Sequence, residues 1–136
     1  MFYEDVEIGM KVKSDLRKPI TGTEIDMVCQ LSGLDHPNFL NPERAKKYGF
    51  KDRVVPGAYT LACLFGLMLK QGFLADALWT GAESLSFKTP VFPGDLLAAE
   101  CEVVNKKEFK KGGGFVTYKW KVLNQDEKLI AEGVNT

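Results

Sequence analysis

The chain has 136 residues, 45% of them hydrophobic and 26% charged, which suits one globular domain with a real core. Eighteen Lys and Arg balance eighteen Asp and Glu, and this argues against nucleic acid or an anionic membrane as partner, since either needs a basic surplus. Cys29, Cys63 and Cys101 are odd in number and widely spaced. No metal-ligand spacing appears, so no metal or cofactor is expected, and a reducing, cytoplasmic setting fits best.

The N-terminal Met1-Phe2-Tyr3-Glu4-Asp5 carries acids where a secretory signal carries bases, so none is expected. A short edge strand is expected near Lys11–Lys13. Thr23-Glu24-Ile25-Asp26 reads as a helix start, with Thr23 accepting from the Asp26 N–H and acids at the positive end of the dipole. Ile25, Val28, Cys29 and Leu31 form its apolar stripe. Gly33 supplies a C-terminal cap, and Pro37 prevents continuation. Asn41 then caps a second short helix opened by Pro42 and finished by Gly49. Pro56-Gly57 opens the longest helix, which runs to about Gln71-Gly72. Its middle, Leu61 to Leu69, is apolar on nearly every face, which predicts burial on all sides. The apolar run from Ala58 to Leu69 is too short to span a bilayer.

From Gly81 the pattern changes to strands. Ser84-Leu85-Ser86-Phe87-Lys88 alternates with period two, and a turn-rich connector, Thr89 to Asp95, follows. Three long strands are predicted at Leu96–Lys106, Gly114–Leu123 and Lys128–Val134. In the second, Val116, Tyr118, Trp120 and Val122 alternate with Thr117, Lys119 and Lys121, so one face packs inward. Asn124-Gln125-Asp126-Glu127 is a hairpin connection. Gly112-Gly113-Gly114 lacks the strand-then-helix context of a phosphate loop and reads as a flexible turn. Periodicity alone therefore gives an α+β class, with helices first and antiparallel strands after.

Two motifs give a sharper reading. Ser32-Gly33-Leu34-Asp35-His36-Pro37-Asn38-Phe39-Leu40-Asn41-Pro42, followed by Arg53-Val54-Val55-Pro56-Gly57-Ala58, resembles the S-G-D-x-N-P-x-H-x-D-P loop and helix-opening H-G of the MaoC-like family. Phe87-Lys88-Thr89-Pro90-Val91-Phe92-Pro93-Gly94-Asp95 is similar to that family's F-R-x-P-V-x-x-G-D strand. The resemblance implies a hot-dog fold over residues 1–136, in which a curved antiparallel sheet wraps one long central helix. It implies a homodimer or heterodimer joined at sheet edges, with a tunnel for acyl-CoA or acyl-carrier thioesters along that helix. In such hydratases and dehydratases an Asp and a His, five residues apart, activate one water. A backbone N–H at the helix start faces the thioester oxygen, where helix dipole and unpaired amides favour negative charge.

Carried over residue by residue, Gly57 supplies the oxyanion-binding N–H, preceded by Pro56 in place of His. The family's Asp falls on Leu34 and its His on Phe39, neither of which transfers a proton. His36 is the sole histidine and has Leu31 five residues before it, so no shift of register restores the pair. Asp35 and His36 are the candidate substitutes; the competing reading makes them turn residues ahead of Pro37, and turn chemistry favours the latter. Leu34, Asn38, Phe39 and Tyr59 are candidate substrate-binding residues. Asn38 either orients a water or holds the turn, and Tyr59 either lines the tunnel or packs with one hydrogen bond. Glu43 and Glu83 are carboxylates whose ordinary place is the solvated surface. Lys88 stands where the family has Arg, as a contact for a CoA phosphate or as a strand ion pair.

Three functions follow: a divergent hydratase or dehydratase on enoyl or 3-hydroxyacyl thioesters, a non-catalytic acyl-binding subunit of a heteromeric dehydratase, and a hot-dog thioesterase using Asp35 with Gly57. In the second, Leu34 and Phe39 are apolar tunnel lining.

Overall fold

The computed structural model describes residues 1–136. A 3-10 turn at Tyr3–Asp5 leads into strands β1 (Lys11–Lys13) and β2 (Lys18–Pro19). Four helices follow: α1 (Gly22–Ser32), α2 (Pro37–Leu40), α3 (Pro42–Lys47) and α4 (Gly57–Lys70). The chain closes with β3 (Ala82–Phe87), β4 (Leu96–Glu108), β5 (Gly114–Leu123) and β6 (Leu129–Asn135). Every strand pair is antiparallel, in the order β1-β4-β5-β6-β3, with β2 also on β4. This is the α+β hot-dog arrangement.

The alternation read in the strands places the core. Leu97, Ala99, Cys101 and Val103 of β4 and Val116, Tyr118, Trp120 and Val122 of β5 are buried, in one cluster with Cys63, Leu64, Leu67 and Met68 of α4. Each fully buried aliphatic side chain of this kind contributes about 1.5–3 kcal/mol. The opposite face is charged in a cross-strand row: Lys13 pairs in register with Glu100, Glu100 with Lys121, and Lys121 with Glu132. Opposite charges on neighbouring strands favour this register, though each exposed pair adds little stability.

Helix α4 ends in a Schellman motif. Gly72 takes φ +73°, its N–H reaches the Leu69 carbonyl, and the Phe73 N–H reaches that of Met68. The composition of the helix predicts burial on every side, but the structure leaves one face uncovered. Ala58, Ala62 and Leu69 are exposed in the single chain. The six-strand sheet covers one face only, and β3 stands at its edge with Leu85 and Phe87 45% and 48% exposed.

Two local expectations are corrected. The cap of α1 is Thr21 and not Thr23: Thr21 Oγ1 accepts from the Glu24 N–H (3.3 Å) and donates to Glu24 Oε1 (3.1 Å). Thr21-x-x-Glu24 has the sequence form of a capping box. Pro37 does not merely stop a helix; it opens one, the single turn α2, capped by His36. Proline's fixed φ and missing N–H suit a first helical position. Gly33 caps α1 at φ +79° and Asn41 caps α3, both as the sequence indicates.

Candidate functional site

Three separate segments converge on the start of α4. From the α1–α3 region, the Asn38 carbonyl accepts from the Val54 N–H (3.1 Å). From the connector after β3, the Val91 carbonyl accepts from the Val55 N–H (2.9 Å). From β3 itself, the Phe87 ring lies against Gly57, so close that a Cβ there would stand 2.8 Å from Phe87 Cζ. The connector is held in turn by buried Asp95, whose Oδ2 accepts from the Phe92 N–H (2.9 Å) and whose Oδ1 accepts from Gln125 Nε2 (3.0 Å). Arg53, just upstream, donates to the Gly22 carbonyl (2.7 Å) and to Asp26 Oδ1 (2.6 Å), tying the approach to α1.

The result is a helix start whose backbone path is fixed and whose first amides are free. Neither the Gly57 nor the Ala58 N–H makes a hydrogen bond within the chain. Unpaired N–H groups and the helix dipole together favour an oxyanion at this place.

The first turn of α4 is also tied to a carboxylate that sequence reasoning did not select as a site residue, Glu24. Tyr59 donates to Glu24 Oε2, and Lys18 Nζ donates to the same oxygen (2.5 Å). Burial pushes the Glu24 carboxyl up, but hydrogen bonds from Lys18, Tyr59 and Thr21 outweigh it and hold the group below its ordinary value. Burial, and then the bond to Glu24, hold the Tyr59 phenol protonated well above its usual range. Lys18, Glu24 and Tyr59 thus join β2, α1 and α4. The signal available in sequence was the capping pattern from Thr21 to Glu24, which places this carboxylate on the first turn of α1.

The remaining expected residues are distributed as follows. Leu34 is exposed beyond the α1 cap, and Phe39 is partly buried against the core cluster. His36 is exposed; its Nδ1 accepts from the Asn38 N–H (3.1 Å), and its ring centroid is 5.7 Å from that of Phe39. Asp35 is exposed beside it, and the two side chains are not hydrogen-bonded to each other. Asn38 is half-buried, with an Oδ1 that finds no partner in the chain. Tyr59 is half-buried against the core and spends its hydroxyl on Glu24. Lys88 is exposed, and its backbone N–H donates to the Ile130 carbonyl (2.7 Å). Glu83 is exposed on β3, and Glu43 pairs with Lys46 on α3 (3.6 Å). No helix is long and apolar enough to cross a membrane.

Comparison with known proteins agrees with this fold. The profile of a family described as "MaoC like domain" matches residues 5–124. An (R)-specific enoyl-CoA hydratase of Aeromonas caviae is 33% identical over 133 residues, covering 98% of this chain and 95% of its own. A mitochondrial 3-hydroxyacyl-[acyl-carrier-protein] dehydratase of Solanum lycopersicum is 31% identical, covering 93% of this chain and 76% of its own. The crystal structure of a MaoC-like dehydratase from Rhodospirillum rubrum superposes with TM-score 0.84 at 25% identity, covering 99% of this chain and 94% of that one.

Proposed function

This chain belongs to the MaoC-like domain family, and from that premise we propose that it binds acyl thioesters of CoA or of a carrier protein at the start of α4. The observation that carries the reading is the pair of unpaired amides at Gly57 and Ala58, on a backbone path held by Asn38, Val91 and Phe87. A thioester oxygen placed there gains charge in hydration, dehydration or thioester hydrolysis alike, and preset N–H groups stabilise that charge without reorganising. The relatives named above act, by their names, on enoyl-CoA and on 3-hydroxyacyl-carrier thioesters. A hydratase or dehydratase role is therefore the first assignment.

A non-catalytic acyl-binding subunit is the second reading, favoured by Phe39. Its ring is partly buried against the core at the position where the family has its His. An apolar group there suits a chain that holds the acyl group while a homologous partner supplies the acid and base. Either role calls for a second subunit, the same chain or a homologue, over exposed Ala58, Ala62 and Leu69 of α4 and the free edge of β3. Exposed apolar surface beside an unpaired strand edge favours such pairing.

The test is a panel of trans-2-enoyl-CoA thioesters, followed for loss of enoyl absorbance and release of free thiol, with Asp35→Asn and His36→Gln in parallel. Enoyl loss without thiol assigns hydration, and abolition by either substitution assigns the proton transfer to that residue. Thiol release assigns a thioesterase. Binding with silence in both channels assigns the acyl-binding subunit. Failure to bind any thioester overturns the proposal.

A further inference from the structure

A cavity of about 650 Å³ lies between the C-terminal half of α4, the segment 71–80 and β5. Of its 18 lining residues 13 are hydrophobic, among them Phe65, Phe73, Trp79 and Phe115. Against that background one polar side chain stands out. Tyr118 lines the cavity and is 8% exposed. Its ring is fixed edge-on by Phe73, with centroids 5.5 Å apart. Behind it, Asn135 is 0% exposed and its Nδ2 donates to Tyr118 Oη (3.5 Å). In this orientation of the amide the phenol accepts, and its own O–H has no acceptor in the chain. Asn135 Oδ1 is likewise without a partner. In β5 and β6 these two residues are directly paired, so the sheet places the buried amide against the phenol of a residue that lines the cavity.

The cavity and the helix start share α4. Gly57 and Phe65 are about 12 Å apart along the helix axis, a span that a medium-length acyl chain with its thioester at Gly57 would cover. A plain hydrocarbon chain would leave the phenol O–H buried and unpaired, which a purely apolar cavity avoids by carrying Phe at that place. Resting on the thioester reading above, we propose that the acyl group this cavity takes carries an acceptor oxygen, a hydroxyl or a carbonyl, on its distal part. Tyr118 donates to that oxygen, and Asn135 orients the phenol.

The experiment measures equilibrium binding of matched pairs of CoA and pantetheine thioesters to the full chain. The members of each pair have equal length, one saturated and one with a distal hydroxyl or keto group. The wild-type chain and Tyr118→Phe are compared. The wild type is expected to bind the oxygenated member at least about 10-fold more tightly. Tyr118→Phe, which keeps the ring and its Phe73 contact, is expected to lose that preference by weakening the oxygenated member alone. Equal wild-type affinities overturn the inference, as does a preference that survives in Tyr118→Phe. A preference for the saturated member overturns it too, and points to a wall closed by an internal water. Binding of neither member overturns the thioester reading itself. If the variant does not fold, the wild-type ratio decides.

Discussion

The Val55 N–H donates to the Val91 carbonyl at 2.9 Å, joining the turn before α4 to the connector between β3 and β4, far away in sequence. This bond brings the two recognisable motifs together in space. The proline- and glycine-rich connector, with Gly94 at φ +97°, is shaped by Asp95 so that Val91 presents its carbonyl to the approach to α4. Replacing Asp95 with Ala leaves the Phe92 N–H and the Gln125 amide without their acceptor in a buried place. The expected loss is about 1.5–3 kcal/mol, read by urea denaturation. Asp95→Asn is expected to recover part of it.

Gly57 has no room for a side chain because Phe87 occupies it. Gly57→Ala should destabilise the chain by about 1–3 kcal/mol through overpacking, despite the helix propensity it gains. Adding Phe87→Ala should restore part of the loss relative to Phe87→Ala alone. Thermal unfolding of the two single variants and the double variant checks this coupling.

Glu24 makes stability depend on pH. Its carboxyl is held below the ordinary value, so the folded state binds its proton less readily than the unfolded chain does. The stabilisation is present above the unfolded value, about pH 4.3, and is lost as pH falls through the lower folded value. Glu24→Gln should therefore cost stability near neutrality and much less at acid pH. Tyr59→Phe removes one donor to the carboxylate, so its folded value moves toward the unfolded one, and the loss on acidification should be smaller and complete at higher pH in that variant. Denaturation midpoints between about pH 2 and 7 test both.

His36 is the cap of α2, accepting from the Asn38 N–H. As a cap it should be replaceable: His36→Asn is expected to keep stability, while His36→Ala costs about 0.5–1 kcal/mol. Any turnover lost in His36→Asn at unchanged stability would mark proton transfer, since the amide caps but does not titrate. Stability and enoyl turnover measured on the same preparations separate the two.

Cys101 faces the core from β4, and burial pushes its thiol up to about 12. It should resist alkylation at pH 8 in the folded chain and react only on unfolding. Mass spectrometry after iodoacetamide, with and without urea, checks this.

The sequence by itself determined the class, the element order and the motif positions. Period-two alternation marked β4, β5 and β6 within a few residues, because strands packed on one face repeat every second residue. Gly33, Asn41 and Gly57 were legible for a similar reason: caps and helix starts are local chemistry. The loss of the family's Asp and His to Leu34 and Phe39 was equally plain from residue identity. What tertiary structure alone decided depends on contacts between distant segments. Period and composition did not show that α4 keeps an exposed face, since a helix apolar all round says only that much of it must be covered. Nor did they show that Glu24 meets Lys18 and Tyr59, that Phe87 closes over Gly57, or that Asn135 stands behind Tyr118 in an apolar cavity. Each of these rests on strand register and helix packing, which bring side chains together from positions 6 to 35 residues apart in the chain.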